Sequence, residues 1–378
     1  MAGSLKKVLI VTNIPNPYRI PFFNELNRRL KDLNIHLKIV FGASIYSRRK
    51  FILSPAEFEF DYEILPSRTF HFGNNEKTIF TYSKLLREVN KFCPDKIVVT
   101  GFSPATLKLW WRSFFRNTNY IIWSGSVLRN GRNDSFLRKV ERRLLLKRAS
   151  GCIAYGTKAK EYLIESGVPG DKVTIAINTV DTYFYSNETN KFRLQLQAEN
   201  KKHLTFLGYL VPRKNVQVLF SAIRLLAENR KDFILDIIGD GEQKPELEKL
   251  VIEKKLQDFV VFHGFKQKKE IPFYFSKSNI FLFQTDFDIW GLVLNEAMAA
   301  GIPCLASVNA GATFDLVKEG ETGFAIDFND HNKVAEKINW LLDHPAESKE
   351  IGENAAKFIA EKASIHNTAE DFIRAILI

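Results

Sequence analysis

Asp288-Ile289-Trp290-Gly291-Leu292-Val293-Leu294-Asn295-Glu296-Ala297-Met298-Ala299-Ala300-Gly301-Ile302-Pro303 joins two elements of regular structure. The β-rich run Ile280–Gln284 precedes it, and a loop carrying acids and a glycine follows. A helix is expected to begin near Leu294 and to stop at Gly301-Ile302-Pro303, because glycine closes a helix C-terminus and proline cannot continue one. A further β-rich run, Cys304–Ser307, comes next, so strand, loop, helix and strand succeed one another as in a helix-covered parallel sheet.

Outward from this stretch the same alternation recurs. Towards the N-terminus it reads as a strand at His203–Leu207, a helix at Val216–Ala227, a strand at Phe233–Ile238, a helix at Pro245–Lys254 and a strand at Val260–His263. The polar stretch Ser186–Lys202 lacks periodicity and reads as a linker. Before it stands a second series: strands at Val8–Val11, His36–Phe41, Lys96–Thr100, Tyr120–Trp123, Gly151–Tyr155 and Val173–Ile177, with helices expected over Tyr18–Leu33, Thr78–Phe92 and Ser135–Arg148. A chain of 378 residues exceeds the usual span of one core. The expected fold class is therefore α/β, with two Rossmann-like parallel-sheet domains facing across a cleft. Their expected spans are 1–179 and 180–363, and a terminal helix over 364–378 is expected to pack back on the first.

Composition is that of an ordinary globular protein, 45% hydrophobic and 26% charged. The net charge of +11 favours anionic partners without choosing among nucleotides, lipid surfaces and nucleic acid. Nucleic acid is disfavoured because no recognisable module organises the basic residues. Cys93, Cys152 and Cys304 match neither a zinc spacing nor a disulfide framework and read as buried thiols of a reducing compartment. The apolar run Val8–Val11 is too short to export or span, so a cytoplasmic location is expected, peripheral on the inner face of the membrane. The scattered histidines and the pair Asp286 and Asp288 give no metal-ligand pattern, and no metal or cofactor is expected.

Open parallel sheets bind ligands beyond the carboxyl ends of their strands. Two such loops hold chemistry. In the first, Gly291 stands before a helix whose free N–H groups suit a diphosphate, while Asp288 and Glu296 can accept bonds from sugar hydroxyls. In the second, Leu207-Gly208-Tyr209-Leu210-Val211-Pro212-Arg213-Lys214-Asn215, two cations stand just before a helix, where they complement phosphate oxygens. No GxGxxG follows the first strand, so a nicotinamide-type site lacks its fingerprint.

These residues resemble the retaining glycosyltransferases of family four, which have the GT-B fold. The likeness rests on Asp288 and Glu296 followed by Ala297-Met298-Ala299 and Gly301-Ile302-Pro303. It extends to the turns Ile238-Gly239-Asp240-Gly241 and Phe262-His263-Gly264-Phe265 and to Asn178–Asp181. It implies transfer of a hexose-type sugar from a UDP- or GDP-linked donor to a glycan or lipid-linked saccharide. By the same likeness Lys214 and Arg213 hold the diphosphate, Glu296 the ribose and Asp288 the donor sugar, with backbone of Gly291 and Leu292 at the phosphates and of Phe265 at the base. Asp288, Glu296 and Lys214 form the implied catalytic set. The segment Asn16-Pro17-Tyr18-Arg19-Ile20-Pro21 carries a weaker likeness and adds Arg19 as a substrate-binding residue.

The sequence departs from the family pattern at three places. Asp288 replaces the usual Glu, Tyr209 stands where an Arg usually follows the phosphate-loop glycine, and Trp123-Ser124-Gly125-Ser126 lacks the His that many members carry. No catalytic base is assigned. An epimerase or hydrolase on the same architecture, or a non-catalytic nucleotide-sugar-binding protein, are the rival readings. The helix 135–148, with the flanking Arg129 and Arg132, combines basic and apolar residues; against a core-packed helix with a solvated basic face, the upstream Trp110-Trp111-Arg112 and Phe114-Phe115-Arg116 favour an anionic-membrane contact.

Overall fold

The computed structural model describes residues 5–44, 51–52, 54–72, 77–128, 135–197 and 200–377. It divides into two compact units, one formed by Met1–Asn178 with Ile365–Ile378, the other by Thr179–Ser364.

Unit one contains β1 (Lys7–Thr12), α1 (Ile20–Asp32), β2 (His36–Phe41), β3 (Asp61–Ile64), β4 (Thr69–Phe72), β5 (Lys77–Phe80), α2 (Leu85–Phe92), β6 (Lys96–Thr100), α3 (Pro104–Arg112), β7 (Tyr120–Ser124), α4 (Phe136–Lys147), β8 (Gly151–Ala154), α5 (Thr157–Glu165) and β9 (Val173–Ile175). Its seven-stranded sheet has the order β3-β2-β1-β6-β7-β8-β9, parallel throughout. Strand β1 is apolar without interruption because it is covered on both faces. Leu9 and Val11 enter one core with Val99 and Ile122, whereas Val8 and Ile10 enter the other with Phe23 and Trp123.

Unit two contains α6 (Thr182–Arg193), β10 (Lys202–Leu207), α7 (Gln217–Asn229), β11 (Phe233–Ile238), α8 (Lys244–Glu253), β12 (Val260–Gly264), α9 (Ile271–Lys277), β13 (Ser278–Phe283), α10 (Leu292–Ala299), β14 (Cys304–Ser307), α11 (Gly311–Leu316), β15 (Phe324–Ile326), α12 (His331–Asp343) and α13 (Pro345–Lys362). The order β12-β11-β10-β13-β14-β15 is also parallel throughout. Counted within the sheet this is the doubly wound 3-2-1-4-5-6 arrangement, whose order reverses between β10 and β13. The last helix, α14 (Ile365–Leu377), returns to unit one, where Phe372 meets Trp123 edge-on at 4.9 Å and Thr368 donates to the Ile177 carbonyl.

Three expectations need correction. Thr78–Phe80 is not the start of a helix. It lies in β5, paired antiparallel with β4, because alternating Thr, Ile and Phe suit a pleated ribbon better than a helix. Ser186–Lys202 is not simply a linker: its first half continues α6, which Asp181 caps by accepting from the Phe184 N–H. Thr182, Tyr185 and Thr189 are the buried residues that anchor that helix, a polar face that hydrophobic periodicity does not register. Cys93 is exposed at the end of α2, while Cys152 and Cys304 are buried, and all three are free thiols.

Candidate active site

The reversal of strand order in unit two opens the crevice between the loops that follow β10 and β13, and these loops hold the predicted chemistry. The first turns through a short 3-10 segment, Pro212–Lys214, before α7. The second returns to meet it: the Asp286 N–H and the Thr285 hydroxyl donate to the Arg213 carbonyl, and Asn215 donates to Asp286 at 3.0 Å.

This stitching brings three sequence-predicted residues together. Lys214 Nζ donates to Asp288 Oδ2 at 2.7 Å, and Arg213 Nη1 donates to the same oxygen at 3.2 Å and to the Phe287 carbonyl at 3.3 Å. Lys214 is 5% exposed and lies against the Phe283 ring. Its burial pushes the ammonium below its ordinary pKa, with Asp288 opposing the shift. Burial would raise the Asp288 carboxyl, but Lys214 and Arg213 overcome it and hold Asp288 below its ordinary value. The sequence reading sets Asp288 at the donor sugar, apart from Lys214 and Arg213 at the diphosphate, whereas the fold makes all three one ion cluster.

Gly291 follows directly as the N-terminal cap of α10, with φ +108°, and a Cβ added there would lie 2.1 Å from the Phe283 ring. Glycine is required by both conformation and space. Leu292 opens the helix, so the first-turn N–H groups of α10 stand beside the ion cluster. The loop is held from below by Trp290, whose indole N–H donates to Asn295 Oδ1 at 3.0 Å.

Glu296 lies one turn further along α10, facing α6, where the Tyr185 hydroxyl donates to it. Burial pushes its carboxyl up to about 7, against the Tyr185 bond and the Lys268 charge. Phe265 is half-buried just beyond β12. Two further features of unit two lie outside the sequence reading. Tyr185 is the first. The second is a part-buried array across three strands: Asp236 accepts from His203 at 2.6 Å and from His263 at 2.7 Å. Alternation along neighbouring parallel strands was the signal that places these residues together, since His203, Asp236 and His263 come from β10, β11 and β12.

Arg19 belongs to unit one, at the N-terminal cap of α1 and beyond the carboxyl end of β1. It donates to the Tyr18 and Tyr155 hydroxyls and stacks over Trp123 at 4.0 Å. It is 6% exposed, and its Nη1 is buried without a hydrogen-bond partner among the described residues. A buried guanidinium with one donor unused is suited to an oxyanion.

The two doubly wound sheets define the GT-B class of fold. Solved structures share it along nearly the whole chain: Anabaena HepE in complex with UDP matches with a TM-score of 0.77 at 18% identity, covering 97% of this chain and 98% of that one. Sucrose-phosphate synthase from Thermosynechococcus elongatus matches with a TM-score of 0.76 at 18% identity, covering 98% of each. Residues 187–358, within unit two, match the model for glycosyl transferases group 1. Among curated relatives, alpha-D-kanosaminyltransferase of Streptomyces kanamyceticus is 25% identical over 61% of this chain and 61% of its own length. N-acetyl-alpha-D-glucosaminyl L-malate synthase of Bacillus anthracis is 26% identical over 51% of this chain and 50% of its own. The chain spans about half to three fifths of the length of these relatives.

Proposed function

We propose that this protein transfers a hexose-type sugar from a nucleotide-diphosphate sugar to a hydroxyl of a glycan or lipid-linked saccharide, with retention of anomeric configuration. One observation carries the reading: Lys214 and Arg213 converge on Asp288 at the N-terminus of α10, where the strand order reverses. Two cations and a helix N-terminus form a cradle for a diphosphate that must leave as an anion.

In this reading Lys214, Arg213 and the N–H groups of Gly291 and Leu292 meet the diphosphate. Asp288 orients Lys214 and accepts from a hydroxyl of the donor sugar. Glu296 accepts from the ribose, and backbone near Phe265 meets the base. The bond from the anomeric carbon to the diphosphate breaks as the bond to the acceptor oxygen forms, and a diphosphate oxygen takes the acceptor proton. Such front-face attack asks for no protein base, in keeping with the absence of a histidine at Trp123-Ser124-Gly125-Ser126. Arg19, on unit one, serves the acceptor side. Because side chains and backbone dipoles meet the leaving charge, we assign no metal. The UDP bound to HepE favours a uridine donor over a guanosine one. We place the reaction in the cytoplasm or at the inner face of the membrane. Among the described residues no helix is long and apolar enough to cross a bilayer.

A panel of UDP- and GDP-sugars, scored for nucleotide release with and without a membrane lipid extract and with and without EDTA, tests this. Release that needs one donor and the extract, survives EDTA and vanishes in Glu296→Ala supports it. Release without any acceptor would instead indicate a hydrolase or epimerase, and saturable binding without turnover a non-catalytic protein.

A further inference from the structure

Helix α4 lies on unit one by a narrow seam. Only Leu145 and Leu146 are buried, and Arg142 lies between them on the helical wheel, stacked on Phe102 and bonded to Tyr162. The remaining apolar residues face outward: Phe136 is 79% exposed, Leu137 78%, Leu144 47% and Val140 37%. At about 100° per residue, these four fall within about 100° of arc, centred opposite the buried seam. A helix that only packs on a core needs one apolar stripe. This one has a second, and core packing does not account for it.

The apolar surface continues on the neighbouring helix. Trp111, Phe114 and Phe115 are exposed at and just beyond the end of α3, with Trp111 and Phe115 rings 5.5 Å apart. Arg148 ties the two helix ends together by stacking over Phe114 at 4.0 Å and donating to the Ser113 carbonyl at 2.7 Å. Residues 104–116 and 135–148 together hold nine Lys or Arg and one acid, Glu141. Arg143 and Lys147 fall on the edge of the apolar arc itself, among Phe136, Val140 and Leu144. Arg129 and Arg132 lie outside the described residues.

We propose that the outer face of α4, with the aromatic end of α3, docks onto an anionic lipid bilayer. Charged residues are depleted from the centre of protein–protein interfaces, whereas here cations share one arc with Phe and Leu. A bilayer boundary satisfies both at once, taking rings and aliphatic chains to acyl depth while phosphate headgroups meet the cations. The proposal keeps the membrane contact that the sequence of this helix favours.

The full chain is to be sedimented with vesicles of phosphatidylcholine, with and without phosphatidylglycerol, at low and high salt. Binding is expected only with the anionic lipid, and is expected to weaken at high salt. Arg143→Ala with Lys147→Ala should lower the partition coefficient about 30-fold. Phe136→Ala with Leu137→Ala should lower it at least about tenfold, and both positions are too exposed to threaten folding. Brominated phosphatidylglycerol should quench Trp111 fluorescence, and that quenching should be missing from Trp111→Phe. No binding at low salt, equal binding to neutral vesicles, or variants that bind as the wild type does would overturn the proposal. So would a stable dimer that Phe136→Ala with Leu137→Ala dissociates without any lipid binding. Lipid docking requires no sugar transfer, so nucleotide release in solution, measured on the same variants, keeps a failure here separate from a failure of the proposed reaction.

Discussion

Replacing Asp288 by asparagine should destabilise unit two and, at the same time, make it unusually responsive to a diphosphate. Lys214 is 5% exposed and its ammonium is held 2.7 Å from Asp288. Removing one partner of a buried ion pair costs about 3–5 kcal/mol, since the remaining charge is left uncompensated. The Asp288 side chain keeps 19% of its exposure and Arg213 shares the oxygen as a second cation, so the lower end applies, about 3 kcal/mol. For a unit of this size that corresponds to about 6–12 °C in melting temperature. Differential scanning calorimetry of the full chain reads it in the transition of unit two. Lys214→Met combined with Asp288→Asn removes the stranded cation and should melt above Asp288→Asn alone. UDP brings anionic oxygens to Lys214 and Arg213, and should raise the melting temperature of Asp288→Asn by more than it raises that of the wild type. If Asp288→Asn melts with the wild type, Lys214 is not dependent on this carboxylate and the account of the cluster is wrong.

Glu296 should make stability fall as pH rises. Its folded pKa of about 7 lies above its ordinary value, so the folded state retains a proton that the unfolded state gives up; the stabilisation is complete at acid pH and lost as pH rises through about 7. Urea unfolding should therefore show Glu296→Gln gaining on the wild type by up to about 3 kcal/mol at alkaline pH, and UDP affinity should lose its dependence on pH in the same variant. Gly291→Ala should cost about 2 kcal/mol or more and abolish UDP binding by calorimetry, because a methyl group there meets the Phe283 ring at φ +108°. Asp236→Asn should steepen thermal unfolding losses near neutral pH by about 1–3 kcal/mol while flattening the acid limb, since His203 and His263 hold Asp236 below its ordinary pKa despite its burial.

The alternation of strands and helices was legible in the chain because both sheets are covered on two faces, which leaves uninterrupted apolar runs such as Val8–Val11 and Phe281–Phe283. The glycine turn at Gly291 was legible because it interrupts such a pattern at a strand's end. Partnership across the sheet was not. Lys214 and Asp288 are 74 positions apart and Tyr185 and Glu296 lie on different helices, so no local spacing expresses either contact. The hairpin of β4 and β5 was hidden for a related reason: Thr78–Phe80 reads as a strand only beside Thr69–Phe72. In α4 the periodicity was visible but its direction was not, because a wheel of alternating Leu and Arg does not say which side the rest of the protein covers.

Unit one is completed by a segment made after the whole of unit two. Phe372 and Ile376 fill the same core as Phe22, Phe23 and Trp123, and α14 covers that face of the sheet. During synthesis the first 178 residues therefore emerge with an open apolar flank that only residues 365–377 can close, while unit two is continuous and has all its parts sooner. The order of assembly is then the reverse of the order of the chain: the second unit is finished first. A nascent chain stalled before Ile365 should hold a protease-resistant unit two beside a unit one that is still open to cleavage.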